Sequence, residues 1–181
     1  MSEMMDLYLK DGIKAGKVIE RHDIRPLGCY ILYVLAILEN QDGRFLITKR
    51  AEGKQWAAGQ WEIPGGGVRA GEGSEQALRR EVFEETSLTL DRNQSLTPVY
   101  HYLNTDEEHH DNYQVDIYHL RLSLNLSDIK IAHREATDVR LATKEEISRL
   151  NAQGQFLHYQ RIQEALQHEQ ESKVSVSSTM I

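Results

Sequence analysis

The stretch GGVRAGEGSEQALRREVFEETSL, residues 66–88, sets Glu81, Glu84 and Glu85 at helical spacing directly behind Arg80. On an α-helix, positions i, i+3 and i+4 share a face, so these carboxylates fall within about 100° of arc. Like charges so placed repel by roughly a few tenths of a kcal/mol per pair on a solvated helix, and by more when partly desolvated. Arg80 supplies one compensating charge, in the weaker orientation for a pair with Glu84. A hard divalent cation compensates better, and Mg²⁺ in particular is held by a few carboxylates together with water and substrate phosphates. Ser74 is the expected N-cap of a helix over 75–86, with Glu75 in its first turn. Leu78 and Val82 give that helix a packing edge beside the carboxylate face, so one side is core and the adjacent side is site.

Just ahead lies Pro64-Gly65-Gly66-Gly67, a run that regular elements tolerate poorly and that lets backbone approach a ligand closely. Further upstream, Tyr30 to Leu38 is apolar almost throughout, which predicts a strand buried on both faces. Asn40-Gln41-Asp42-Gly43 then turns the chain into a second strand, Arg44 to Arg50, in which Phe45 and Ile47 are expected to alternate with polar neighbours. Before that hairpin, Leu7-Tyr8-Leu9 and Val18-Ile19 around Asp11-Gly12 and Gly16 read as a smaller one. Downstream, strands are expected at Leu96 to Tyr102 and Val115 to Leu122, separated by the polar loop Asn104 to Asn112. Thr143 with Glu146 three residues on is a capping-box pattern, and Phe156 to His168 reads as a last helix. From Glu171 to Ile181 periodicity is lost, which predicts a disordered tail. The expected organisation is an N-terminal extension over 1–28, one domain over 29–170 and the tail over 171–181.

Composition narrows the role. A chain of 181 residues with 40% hydrophobic content supports one domain with a real core. A net charge of -7 disfavours a broad phosphate-backbone footprint, so no stable nucleic-acid complex is expected, and an anionic substrate would need a metal or a local basic pocket. The lone Cys29 excludes an internal disulfide framework and fits a reducing compartment. No signal sequence opens the chain, and the longest apolar run, Cys29 to Leu38, is half of what a bilayer crossing needs. A soluble cytoplasmic protein is the expectation.

Residues 66–88 resemble the signature of the Nudix hydrolases, G-x5-E-x7-R-E-U-x-E-E-x-G-U with U a bulky aliphatic residue. Gly66, Glu72, Arg80, Glu81, Val82, Glu84, Glu85 and Leu88 match, and Ser87 stands where the family has its last glycine. With each Gly or charged type at roughly 6–7% of residues, six such matches at fixed offsets arise by chance about once in ten million starting points. A solvated, salt-bridged surface helix is the bland alternative, and the Gly-rich entry loop with Glu72 at its required spacing argues against it. Ser87 is expected to weaken the helix stop, where a left-handed residue is wanted, without touching a metal ligand.

The resemblance implies an α/β fold, a Nudix-type α/β/α sandwich with a mixed sheet, and hydrolysis of a nucleoside diphosphate linked to another moiety. It implies Mg²⁺, with Mn²⁺ as the alternative ion, as cofactor. Glu81 and Glu85 are the first choice of side-chain ligands, the Gly66 carbonyl completes the shell, and Glu84 is a third ligand or the general base. Arg80 would orient the carboxylates and Glu72 would brace the loop. Relatives also use a carboxylate from a later loop: Glu135 is the best-placed candidate, with Glu107 and Glu108 as rivals. Arg50 and Trp61 are the candidate substrate contacts. Trp56 shares with Trp61 two open readings, stacking on a base or packing in the core. His109-His110 lack a third ligand at metal-site spacing, and Cys29 lacks a partner base. The partner expected is a small-molecule diphosphate, with no membrane and with a homodimer contact through the N-terminal hairpin as an open alternative. Two rival functions stand beside hydrolysis. An isopentenyl-diphosphate-isomerase-like enzyme would need a cysteine followed closely by histidine, and a non-catalytic nucleotide sensor would be expected to have lost carboxylates.

Overall fold

The computed structural model describes residues 3–178 apart from 55, 133 and 134. Two short strands, β1 (Met4–Tyr8) and β2 (Lys14–Glu20), form the N-terminal hairpin. A mixed sheet follows from β3 (Ile31–Glu39), β4 (Phe45–Arg50), β5 (Trp61–Glu62), β6 (Gly65–Gly67), β7 (Tyr100–Asn104), β8 (Tyr113–Arg121) and β9 (Ala136–Ala142). Helix α1 (Ser74–Thr86) lies on one face, and α2 (Lys144–Ala152) and α3 (Tyr159–Ser178) lie on the other.

The apolar run predicted at Tyr30 to Leu38 becomes the central strand because its two faces feed two cores. Leu32, Val34, Ala36 and Leu38 pack with Ala77, Leu78 and Val82 of α1, whereas Leu35 and Ile37 pack with Ile147, Ile162, Ala165 and Leu166 of the other helix layer. This is the three-layer α/β/α sandwich expected. β3 runs parallel to β8 from Ile31–Tyr113 to Glu39–Arg121, and pairs antiparallel with β6 on its other edge. The turn after Glu39 leads into β4, which meets β3 only at Glu39–Phe45 and instead pairs along its length with β9.

Several local expectations change. β4 does not alternate with polar neighbours: Phe45 to Thr48 are all buried, since Leu46 joins the α1 core while Phe45 and Ile47 join the other. The glycine run is not irregular, as Gly65–Gly67 is itself a strand against Tyr33–Leu35. The strand expected from Leu96 starts at Tyr100, past Pro98, which has no N–H to give a ladder. The cap of α1 is Gly73, whose N–H donates to Gln76 Oε1 at 2.9 Å, and the Ser74 hydroxyl turns inward onto Asp116 and Tyr118. The capping box at Thr143 forms as read, with Glu146 N–H to Thr143 Oγ1 at 3.2 Å and Thr143 N–H to Glu146 Oε2 at 2.7 Å. Helix α3 continues past Glu171 to Ser178, into the stretch read as a tail. Pairs one turn apart, Gln167–Glu171 and Glu169–Lys173, support the start of that stretch, where residues 171–174 are exposed. Residues 179–181 lie outside the described residues. No helix among the described residues is long and apolar enough to cross a membrane.

Candidate active site

A cleft of about 380 Å³ is walled by residues that include Tyr33, Gly65, Gly66, Arg50, Glu62 and Trp56, and two of them, Gly65 and Gly66, adjoin Glu85 and Glu81 on the second half of α1. The side chains anticipated from residues 66–88 do come together beside these glycines. Arg80 grips Glu72 with a two-point fork, Nε to Oε1 at 2.7 Å and Nη2 to Oε2 at 2.8 Å, and Nη2 also donates to the Gly67 carbonyl at 2.9 Å. Its remaining nitrogen donates to Glu81 and, at 3.4 Å, to Glu84. Glu72 in turn accepts the Arg69 backbone N–H at 3.0 Å, so the loop between β6 and α1 is tied to the helix by charge-assisted bonds. Burial works against the ionised Glu72, but Arg80 and the Arg69 N–H outweigh it and lower its pKa.

Glu81 and Glu85 behave in the opposite way. Glu81 is buried, and its carboxyl is pushed up by that burial and by Glu84, with Arg80 opposing. Glu85 is pushed well above the ordinary carboxylate range by burial, then by the charges of Glu62 and Glu81, and finally of Glu135. Its one hydrogen bond among the described residues is a long one, 3.4 Å from the Gly65 N–H. Glu84 is exposed and bonded to Arg69 at 3.3 Å. A Cβ on Gly66 would stand 2.5 Å from the Glu81 carboxyl carbon, so the missing side chain is what lets backbone and carboxylate share the site. Among the described residues no three His, Cys, Asp or Glu side chains are already drawn into a metal-holding set. Arg80 and Arg69 hold Glu81 and Glu84, while among the described residues no arginine or lysine bonds to Glu85.

Glu135, in the turn before β9, ion-pairs with Lys54, and its charge raises both Glu85 and Glu62, so it belongs to the same electrostatic neighbourhood. Its rival Glu107 is engaged elsewhere, accepting from Gly28 N–H and Asn112. His109 and His110 are likewise tied to Asp106 and to the Arg25 carbonyl. Cys29 packs beside Met5, Leu7 and Ile31 under the hairpin.

Trp61, read as a substrate contact, is a core residue. Only 4% exposed, it packs with Ile63 and Phe156, and the Arg140 guanidinium covers its ring at 4.2 Å. Strand parity is the reason: with Trp61 turned to the core, its neighbour Glu62 faces the cleft. Trp56 takes the open place, 58% exposed on the cleft wall, with His158 at 6.2 Å and Arg50 at 5.3 Å from its ring. Burial, then Arg50, lowers the pKa of His158. Both Ala57 and His158 adopt left-handed backbone conformations, strain of the kind that concentrates at ligand-binding walls. Arg50 does line the cleft, but its three nitrogens are engaged by Glu62 and by the Trp56 carbonyl. Glu62, Arg69, Glu3 and Arg21 are site residues that the reading of the sequence missed. For Glu62 the signal was its position one residue after a core tryptophan. The other three have no local signal.

The NUDIX domain family model matches residues 30–165. A Nudix hydrolase of Listeria monocytogenes, lmo0368, is 30% identical over 159 residues, covering 87% of this chain and 89% of that one. The crystal structure of DR0079 from Deinococcus radiodurans superposes with a TM-score of 0.64 at 25% identity, over 83% of this chain and 90% of that one. A bifunctional NMN adenylyltransferase/ADP ribose pyrophosphatase from Francisella tularensis, crystallised with AMP and a manganese ion, shares the fold with a TM-score of 0.60 at 23% identity, over 79% of this chain and 42% of that one. The chain belongs to the Nudix hydrolase family and is an enzyme of its pyrophosphohydrolase class.

Proposed function

We propose that this enzyme hydrolyses the diphosphate of a nucleoside diphosphate linked to another moiety, with Mg²⁺ held by Glu81, Glu85, the Gly66 carbonyl and Glu84. The observation that supports this reading is the gathering of Glu81 and Glu85 against the cleft-lining Gly66 and Gly65, where burial, then Glu62 and Glu81, push the Glu85 carboxyl well above its ordinary range. A divalent cation there removes the repulsion that burial magnifies. The acidic donor set, all oxygen, suits a hard ion. When bound, such an ion neutralises phosphate charge and lowers the pKa of water.

The chain's own residues do the rest. Arg80 and Glu72 hold the loop and the ligating helix in one geometry. Glu84, exposed on α1, and Glu135, whose charge acts on Glu85, are the two candidates to accept a proton from the attacking water. Trp56, exposed on the cleft wall, offers a ring face to a nucleobase, worth about 1 kcal/mol beyond the area it buries. The Francisella protein's AMP and manganese agree with this class of ligand.

The test is a screen of nucleoside diphosphate-linked compounds with Mg²⁺, products being identified by mass. Turnover that disappears with chelator is expected, and Glu85→Gln should lower it at least about a hundredfold while the protein stays folded. Wild-type turnover by Glu85→Gln would remove that carboxylate from the site.

A further inference from the structure

Arg21 lies just after β2, outside the residues that match the family domain, yet its side chain lines the cleft alongside Gly65 and Gly66. The N-terminal hairpin brings it there. Met5 packs at Gly67, where a Cβ would meet its Cε at 2.7 Å, Asp6 accepts the Gly71 N–H at 2.9 Å, and Lys14 reaches the Glu72 carbonyl at 3.3 Å. The hairpin is thus fastened to the same loop that Arg80 holds from the other side.

The guanidinium itself is held on two sides. Nη1 donates to Glu3 Oε2 at 2.7 Å, and the group lies over the Tyr33 ring at 5.7 Å. Glu3 is shared, since its other oxygen accepts from Arg69 Nε at 3.0 Å, and Arg69 continues to Glu84. Nε and Nη2 of Arg21 have no hydrogen-bond partner among the described residues. The other arginine on the cleft wall, Arg50, has every nitrogen engaged, and so does Arg80 behind it. The cleft wall carries Glu62 and Asp111, and Glu81 and Glu85 adjoin its Gly66 and Gly65, so an anionic substrate entering it needs a cation with donors to offer.

We propose that Arg21 is a substrate-binding residue, donating from Nε and Nη2 to anionic phosphate oxygens of the diphosphate from the hairpin side of the cleft. The inference rests on the hydrolase reading for the identity of that anion. A planar fork, oriented beforehand by Glu3 and Tyr33, matches two phosphate oxygens, and a lysine ammonium does not. The residue acts in binding, so its loss should appear in KM more than in kcat.

The probe is α,β-methylene-ADP, titrated calorimetrically in Mg²⁺ against wild type, Arg21→Ala and Arg21→Lys, with thermal unfolding measured for each. Arg21→Lys keeps a charge for Glu3 and guards against a hairpin that loosens in Arg21→Ala. Binding is expected to weaken by about tenfold or more in the alanine variant and by about threefold in the lysine variant. KM for any substrate found in the screen should rise in parallel, with kcat within about twofold. Variants that bind as tightly as wild type, or a wild type that does not bind the probe, would overturn the inference. Binding that depends on Arg21 in a protein that hydrolyses nothing in the screen would instead overturn the hydrolase reading and leave Arg21 in place.

Discussion

Gly65, Gly66 and Gly67 are adjacent, and each has a different neighbour where a side chain would go. A Cβ at 65 would lie 2.2 Å from the Val34 carbonyl oxygen, at 66 it would lie 2.5 Å from the Glu81 carboxyl, and at 67 it would lie 2.7 Å from the tip of Met5. Backbone of a central strand cannot swing away, whereas a carboxylate can turn and a methionine end can shift. Gly65→Ala is therefore expected to cost roughly 1–3 kcal/mol of stability, read from urea unfolding. Gly66→Ala should unfold close to wild type but lose turnover by at least about tenfold, because Glu81 must leave its place. Equal stability losses in the two variants would show that the Glu81 contact does not distinguish them. The residue scale also explains why Trp61 is not a substrate contact: one step along β5 separates its core face from the cleft face of Glu62, and spacing to the glycine run alone does not record that parity.

At the scale of the element, α1 carries most of the site, and its end is built with a residue that fits poorly. Ser87 takes the left-handed conformation, φ 60°, and its N–H donates to the Phe83 carbonyl at 2.8 Å. Glycine adopts this conformation without steric cost, while serine pays part of it back through a hydroxyl bond to the Lys130 carbonyl at 3.1 Å. Ser87→Gly is expected to raise stability by about 0.5–1 kcal/mol in thermal unfolding with turnover unchanged, since Ser87 is exposed and outside the cleft. A large change in turnover would mean that the helix end reaches the substrate. The packing edge at Leu78 and Val82, both fully buried, formed as its spacing indicated, because i and i+4 positions face one way whatever lies beyond them.

On the scale of the whole molecule, α3 is fastened to the sheet by an ionic cluster that joins three distant segments. Glu169 accepts from His119 Nδ1 at 2.7 Å, from Lys173 at 2.6 Å and from Arg121 at 3.3 Å, while His119 Nε2 faces Glu39 at 2.8 Å. Burial opposes the ionised Glu169, but bonds from Lys173, His119 and Arg121 outweigh it and bring its pKa down to about 2 from 4.5. A folded pKa below the unfolded one means stability present above pH 4.5 and lost as pH falls towards 2. Glu169→Gln should be less stable than wild type at pH 7 by on the order of 1–3 kcal/mol, with the difference closing between pH 4.5 and 2. A difference that stays constant over that range would mean that packing, not charge, anchors the helix.

The sequence by itself determined what depends on neighbours along the chain: the carboxylate face and packing edge of α1, the left-handed stop at Ser87, the capping box at Thr143 and the continuous apolar run of β3. Each follows from the fixed period of a helix or strand, which needs no knowledge of distant residues. Only the tertiary structure decided that β3 pairs parallel with β8 and that β4 leaves β3 for β9. It also decided that Glu62 and Glu135 crowd Glu85, and that a hairpin near the N-terminus delivers Arg21 to the cleft. These depend on contacts across tens of residues, chosen by which arrangement buries both faces of the sheet at once, and no local spacing records that choice.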